Sequence, residues 1–346
     1  MTLKDYFESS LNLFLSEKNL LNQNLDIAGR QVRIRFSSAR LLAQFSPSIQ
    51  HLETSEKRHE EITIYVGDSK SISNKLKIPP WNKDTFNAQG YANILEQKNY
   101  QIFFQPWIPQ VSLYSRKHRI AIYWVNSENE IPWWEKTFSF RIIFHWWTRD
   151  LPAQLMHAGA VAKNKETGFL ITGPSGAGKS TTCLNLVKNG YQYLGDDYIW
   201  LEQGNPDKII ALYQTAKLEA ENLLERFPSW VPFLKNPDTY KKQKAIFDLK
   251  EMYPENWLSE ASLKGILLPR VSGKRVSKIE KSKKMLSLMA IAPTTLHHLP
   301  HHRENSFKKI SEIVSNTNTY NWELSTDKVE NSNEFQKFLA NEFSIN

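Results

Sequence analysis

The sequence predicts an α/β protein with a phosphate-binding core, preceded by a strand-rich α+β region. Three observations carry that prediction. Residues Gly173 to Ser180 read Gly-Pro-Ser-Gly-Ala-Gly-Lys-Ser, the G-x-x-x-x-G-K-[ST] spacing of a Walker A phosphate loop. An apolar run leads into this loop, and a helix-compatible pattern leaves it. A second apolar run follows and ends in two adjacent carboxylates.

From the N-terminus, Thr2 to Leu21 has the period of one amphipathic helix, with Leu3, Tyr6, Phe7, Leu11, Phe14 and Leu15 on one side. Packing onto its own domain accounts for that stripe. Val32 to Phe36 and Ile62 to Val66 alternate as half-buried strands do. Tyr100 to Phe104 and Ile120 to Val125 add two more, and the Pro79-Pro80 pair marks a loop. Residues 1–130 therefore read as one mixed α+β domain, and residues 131–346 as a second. Trp133 to Thr148 reads as an aromatic-rich helix, with Trp133, Trp134, Trp146 and Trp147 serving as packing.

Met156 to Ala162 is a strand candidate carrying His157, and Lys163 to Thr167 turns it back into Gly168 to Thr172. That second run is short, apolar and ends at the loop. Glycines let the loop backbone approach an anion closely. Successive N–H groups from Gly173, Pro174, Ser175, Gly176, Ala177 and Gly178 onward then form an anion nest at a helix start, proline excepted. Lys179 reaches the β- and γ-phosphates, Ser180 offers its hydroxyl to Mg²⁺, and Thr181 continues the site. Thr181 to Asn189 reads as the helix, closed by Gly190.

Tyr191 to Gly195 reads as the next strand, and Asp196-Asp197 follows it. One carboxylate is suited to holding Mg²⁺ and the other to accepting a proton from an attacking hydroxyl. Adjacency alone leaves open which does which. Tyr198 to Leu201 and Lys208 to Tyr213 form a hairpin across Gly204-Asn205-Pro206-Asp207. Helices are expected near Glu219 to Phe227, Lys283 to Ile291, Asn305 to Ser315 and Ser332 to Glu342, with a strand at Tyr320 to Leu324. Lys217 and Arg270 are candidate phosphate or substrate contacts that would stabilise charge on a transferring phosphoryl group. His297, His298, His301 and His302 have spacings that suit a transition metal, but Pro300 interrupts any helix there.

The His-Ala-Gly strand at His157, the Gly-x-Ser-Gly-x-Gly-Lys-Ser loop and the nearby Asp196-Asp197 resemble the HPr kinase/phosphorylase superfamily. More narrowly, the chain is similar to the HPr-kinase-related serine kinases of bacterial peptide-modification clusters, lasso-peptide clusters included. Leu212 to Leu218, Ile266 to Val271 and Ala292 to Leu296 extend the likeness, which spans roughly residues 150–325. The resemblance implies a P-loop kinase core related to phosphoenolpyruvate carboxykinase, with ATP and Mg²⁺ as nucleotide and cofactor. It implies Asp196 as catalytic base, Ser180 and Asp197 as metal positions, Lys179 as a catalytic cation, and His157 near the transferred phosphate. One departure stands out. The bifunctional enzymes carry a Gly-rich signature after a Glu, whereas Lys217-Leu218-Glu219 has no Gly-Leu-Gly after it. That argues against phosphorolysis and against HPr itself as acceptor. The expected acceptor is a serine hydroxyl of a peptide or protein. A small-molecule hydroxyl kinase, for example of free serine, and a non-catalytic nucleotide sensor are the alternatives.

Composition sets the outer bounds. The chain has 346 residues, 40% of them hydrophobic, which suits a sizeable core. The net charge of +8 favours anionic partners, and nucleotide phosphates are the simplest. The basic residues are dispersed and no nucleic-acid motif occurs, so no nucleic-acid partner is expected. Met1 to Asn24 lacks a signal-type apolar region and no run reaches membrane-spanning length, so no membrane partner is expected either. The single cysteine, Cys183, fits a reducing, cytoplasmic setting and a buried packing role. An oligomer remains compatible with all of this.

Overall fold

Apolar alternation builds the first sheet, and the phosphate loop organises the second. In a computed structural model, the structure describes residues 1–345 other than 73–77, 88, 93, 94, 96, 106, 107 and 109. The chain is mixed α/β and divides into two units, residues 1–151 with 298–303 and residues 152–297 with 304–346. The division lies past residue 130, because the aromatic-rich helical stretch stays with the first unit.

The first unit opens with α1 (Leu3–Leu15). The Thr2 side chain accepts from Asp5 N at 3.1 Å and Asp5 Oδ2 accepts from Thr2 N at 2.9 Å, a reciprocal cap. Leu3, Tyr6, Phe7 and Phe14 are buried in one apolar cluster with Ile102, Leu113 and Trp124. The helix stops earlier than Leu21, which instead begins β1 (Leu21–Ile27). Then come β2 (Arg30–Phe36), α2 (Ala39–Ile49), β3 (Glu60–Asp68), β4 (Tyr100–Gln105), β5 (Gln110–Ser115) and β6 (Ile120–Val125). The sheet order is β1-β2-β3-β6-β5-β4. Strands β2, β3 and β6, with Val32, Ile62 and Ile122, are therefore interior. Among the described residues the edges are β1, bridged at Leu25 by Glu53, and β4, bridged at Phe103 by Tyr91.

The expected single helix from Trp133 to Thr148 is two, α3 (Trp133–Thr137) and α4 (Arg141–Thr148), separated by Phe140 at φ 60°. Trp146 is buried and stacks near Tyr114, and its Nε1–H donates to His301 Nδ1 at 3.1 Å. Burial pushes the His301 and His302 imidazoles down to about 3 and about 2. Among the described residues, no group of three or more His, Cys, Asp or Glu is placed to hold a metal. His301 is thus a packing and hydrogen-bonding residue.

The second unit contains β7 (Ala153–Met156), β8 (Gly159–Asn164), β9 (Thr167–Ile171), α5 (Lys179–Lys188), β10 (Gln192–Gly195), β11 (Ile199–Glu202) and β12 (Lys208–Ile210). It continues with β13 (Thr215–Leu218), α6 (Ala220–Arg226), β14 (Ala245–Asp248), α7 (Leu249–Met252), β15 (Glu260–Val271) and β16 (Lys278–Lys281). Helices α8 (Lys284–His298) and α9 (Arg303–Asn316), β17 (Asn318–Leu324) and α10 (Lys328–Phe343) close the chain. The main sheet runs β10-β8-β9-β15-β12-β11-β7, with β17 parallel to β15. Strand β9 is antiparallel to β8 and parallel to β15. The loop strand thus has acid-bearing neighbours on one side and parallel strands on the other. Phe169 and Ile171 of β9 join Leu184 and Val187 of α5 in one buried cluster with Trp322 and Phe335. No described helix is long and apolar enough to cross a membrane.

Candidate active site

Strand β9 delivers the chain to the loop, and Thr172 N donates to Leu267 O at 3.0 Å to hold the exit. Pro174, Ser175 and Gly176 are exposed, while Ala177 to Thr181 are half-buried. Gly178 caps α5 at φ 93°, a left-handed conformation that favours glycine. The helix start carries Lys179 and Ser180. Lys179 Nζ folds back to donate to Gly173 O at 2.9 Å and Pro174 O at 3.2 Å. Burial lowers its pKa, with Asp197 and Asp196 opposing that.

Strand β10 brings both acids to the same place, and both are buried, Asp196 to 1% and Asp197 to 7% exposure. Their surroundings differ. Asp196 Oδ2 accepts from Lys217 N at 3.5 Å, and the nearby Ser180 hydroxyl favours its charged form. Its Oδ1 is buried without a hydrogen-bond partner among the described residues. Burial, and then the Asp197 charge, push its pKa up to about 6. Asp197 Oδ1 lies 3.5 Å from His157 Nε2, and its Oδ2 pairs with Lys217 Nζ. Burial works to raise the Asp197 pKa, but Lys217 and His157 reverse it and hold the carboxyl well below the usual carboxylate range. Asp197 also sits at φ 71°, a sparsely populated conformation for a residue with a side chain.

His157 is not inside a continuous strand. It occupies the corner between β7 and β8, where its N–H donates to Thr295 Oγ1 at 3.1 Å. The corner turns the ring toward Asp197, with Tyr198 alongside at 5.6 Å between centroids. Lys217, on β13, is brought into the site. Arg270 is not: it is exposed near the end of β15, in register with Glu323, on the flank of β9 away from β8 and β10. Its role as a contact to the transferring group has no support in this arrangement.

Thr295 and Tyr198 were not singled out from the sequence as site residues. Nor was Gly159. A Cβ there would collide with Cys183 Sγ and lie 3.8 Å from Asp196 Oδ1. The missing side chain lets α5 lie close against β8 and keeps Ser180 within reach of the acid.

A buried carboxylate with an unpartnered oxygen fits a cation ligand. No third His, Cys, Asp or Glu converges, among the described residues, to complete an all-protein cage. Asp196 Oδ1, with Ser180 nearby, is the oxygen whose surroundings fit a cation.

No protein-family model matches the chain. Among solved structures, one similar to it is titled "Structure of the Hpr(Ser) kinase/phosphatase from Coxiella burnetii". The identity is 14%, the match covers 54% of this chain and 97% of that one, and the TM-score is 0.30. A likeness that loose carries no argument about chemistry, which rests on the loop and the acids.

Proposed function

We propose that the chain is an ATP- and Mg²⁺-dependent kinase that phosphorylates a serine hydroxyl of a peptide or protein. The observation that carries this reading is the division of labour between two buried acids beside a phosphate loop. One acid lies beside Ser180 with an oxygen that has no hydrogen-bond partner among the described residues, and the other is gripped by Lys217 and His157.

The resemblance points to Asp196 as base and Asp197 as metal ligand. The orphaned Oδ1 beside Ser180 favours the reverse: Asp196 on the metal side, Asp197 facing the acceptor. Bound Mg²⁺ would neutralise charge on the β- and γ-phosphate oxygens. Lys179 exchanges its loop carbonyls for those oxygens. Asp197 accepts the hydroxyl proton as the acceptor oxygen bonds to the γ-phosphorus and the bond to the bridging oxygen of ADP breaks. A low pKa does not disqualify it, because phosphoryl transfer proceeds through a loose transition state in which positioning outweighs basicity. Lys217 and His157 fix its orientation and balance its charge.

The peptide acceptor is favoured by the first unit, which carries no catalytic motif but has sheet edges at β1 and β4 that, outside the bridges at Leu25 and Phe103, suit strand addition. One observation favours a small acceptor instead: His157 and Asp197 are only 8% and 7% exposed, so free serine fits where a broad surface would not. Mass spectrometry of products formed with ATP, from serine-bearing peptides and from free serine, distinguishes them. Phosphate on neither, with ATP bound, would leave a nucleotide sensor. Asp196→Asn should raise the Mg²⁺ requirement. Asp197→Asn should cut turnover about 10²–10⁴-fold with nucleotide binding retained. The opposite pattern restores the first assignment.

A further inference from the structure

The loop strand has two flanks, and only one has been used. Strands β8 and β10 bring His157, Asp196 and Asp197 to the first. On the second, β15 and β17 run parallel to β9, so their carboxyl ends open on the edge where the loop lies. The segments leaving these two strands are tied to each other. Ser272 N and Oγ donate to Leu324 O at 3.2 and 2.8 Å. Thr326 N donates to Lys274 O at 2.9 Å, and Ser325 Oγ to Arg275 O at 2.6 Å. Ser277 Oγ donates to Glu323 O at 3.2 Å. The result is a preorganised wall whose hydroxyls serve the wall itself.

The wall reaches the loop through apolar atoms. A Cβ on Gly178 would sit 3.1 Å from Leu324 Cδ1 and 3.8 Å from both Val271 Cγ2 and Thr182 Oγ1. Leu324 is 6% exposed, but Val271 is 58% exposed. An exposed valine at the rim of a rigid wall offers a face for something flat and apolar. The phosphate chain says what that is. The acids occupy the β8 side of the loop, which leaves the β15 side, with Val271 beside Gly178, for the nucleoside end.

We propose that the nucleoside of the bound nucleotide rests on this wall, with the base against Val271, on the flank opposite the acids. The inference deepens the kinase reading and depends on the phosphate loop being occupied. It makes Val271 a determinant of nucleotide affinity that takes no part in the transfer step. The occupant is a nucleobase held by apolar contact.

The test is calorimetric titration of the full chain with ATP and with inorganic tripolyphosphate, each with Mg²⁺. Wild type should bind both. Val271→Ser should weaken ATP about tenfold and leave tripolyphosphate unchanged, since the lost methyls face only the base. Val271→Ile should keep wild-type affinity for both. Unchanged ATP affinity in Val271→Ser would overturn the wall. So would a parallel loss of both ligands, which would mean that the substitution disturbs the loop. Failure of wild type to bind either ligand would bring down the phosphate-loop reading itself, a result distinct from the other two.

Discussion

Lys217 and Asp197 form an ion pair inside the second unit, with their side chains only 15% and 9% exposed. The pair splits two adjacent carboxylates into unequal groups. Asp197 is held charged by a cation. Asp196, one residue earlier, has a long bond from a backbone N–H on one oxygen and no partner among the described residues on the other.

Removing the Lys217 ammonium should release the Asp197 pKa upward. In Lys217→Met the acid limb of kcat/KM against pH should move to higher pH by about one unit or more. Lys217→Arg keeps the charge and should keep the limb. A limb that stays put in Lys217→Met would detach the ion pair from catalysis.

Asp196 makes the opposite prediction for stability. Its folded pKa is about 6 against an ordinary 3.8, so the folded state holds the proton more tightly than the unfolded one. Stability is therefore lost as pH rises between those values, and the deficit persists above them. Asp196→Asn cannot ionise. It should exceed wild type in stability near about pH 8 by on the order of 1–3 kcal/mol, and match it near about pH 4. Urea unfolding without nucleotide reads this directly. Added Mg²⁺ should narrow the gap at high pH, because the ion supplies the partner that the carboxylate lacks.

The contact between α5 and β8 has no room for a methyl group at Gly159. Gly159→Ala should destabilise by about 1–3 kcal/mol through overpacking and lower turnover by shifting Ser180. Cys183→Ala removes the obstructing sulfur. The double variant should recover part of both losses, and strict additivity in a double-mutant cycle would refute the steric account.

Lys179 Nζ is satisfied by two carbonyls of its own loop. Lys179→Ala should fold well yet lose the thermal stabilisation that Mg·ATP gives wild type, a gain of about 2.7 kcal/mol at a hundredfold excess over Kd. An equal shift in both proteins would remove Lys179 from the phosphate site.

The sequence made the second unit readable because short-range chemistry writes it. The loop spacing, the run ahead of it and the helix after it are local signals, and β9, α5 and β10 lie where those signals put them. The corner at His157 was read as continuous strand because nothing in Met156 to Ala162 breaks the alternation; it is Thr295, far along the chain, that takes the backbone N–H there. Strand β1 was missed because Leu-Asn-Gln-Asn-Leu-Asp-Ile is mostly polar, and Gln23 is buried only because Ser46 and Glu53 accept its amide hydrogens. Helix α2 was obscured by Pro47 within it. The unequal environments of Asp196 and Asp197 depend on Lys217 from another strand, which no spacing rule reveals.

The six residues 298–303 that belong to the first unit set an order of events during synthesis. A chain emerging from the ribosome presents residues 1–151 long before this segment exists. Until His301 arrives, the indole N–H of Trp146 lacks its acceptor and the aromatic layer around α4 is incomplete. The phosphate loop and its acids, by contrast, arise within one short contiguous stretch. The unit translated first is therefore finished only after the strands that carry the loop and the acids have left the ribosome, and its half-built interior must stay soluble in the meantime.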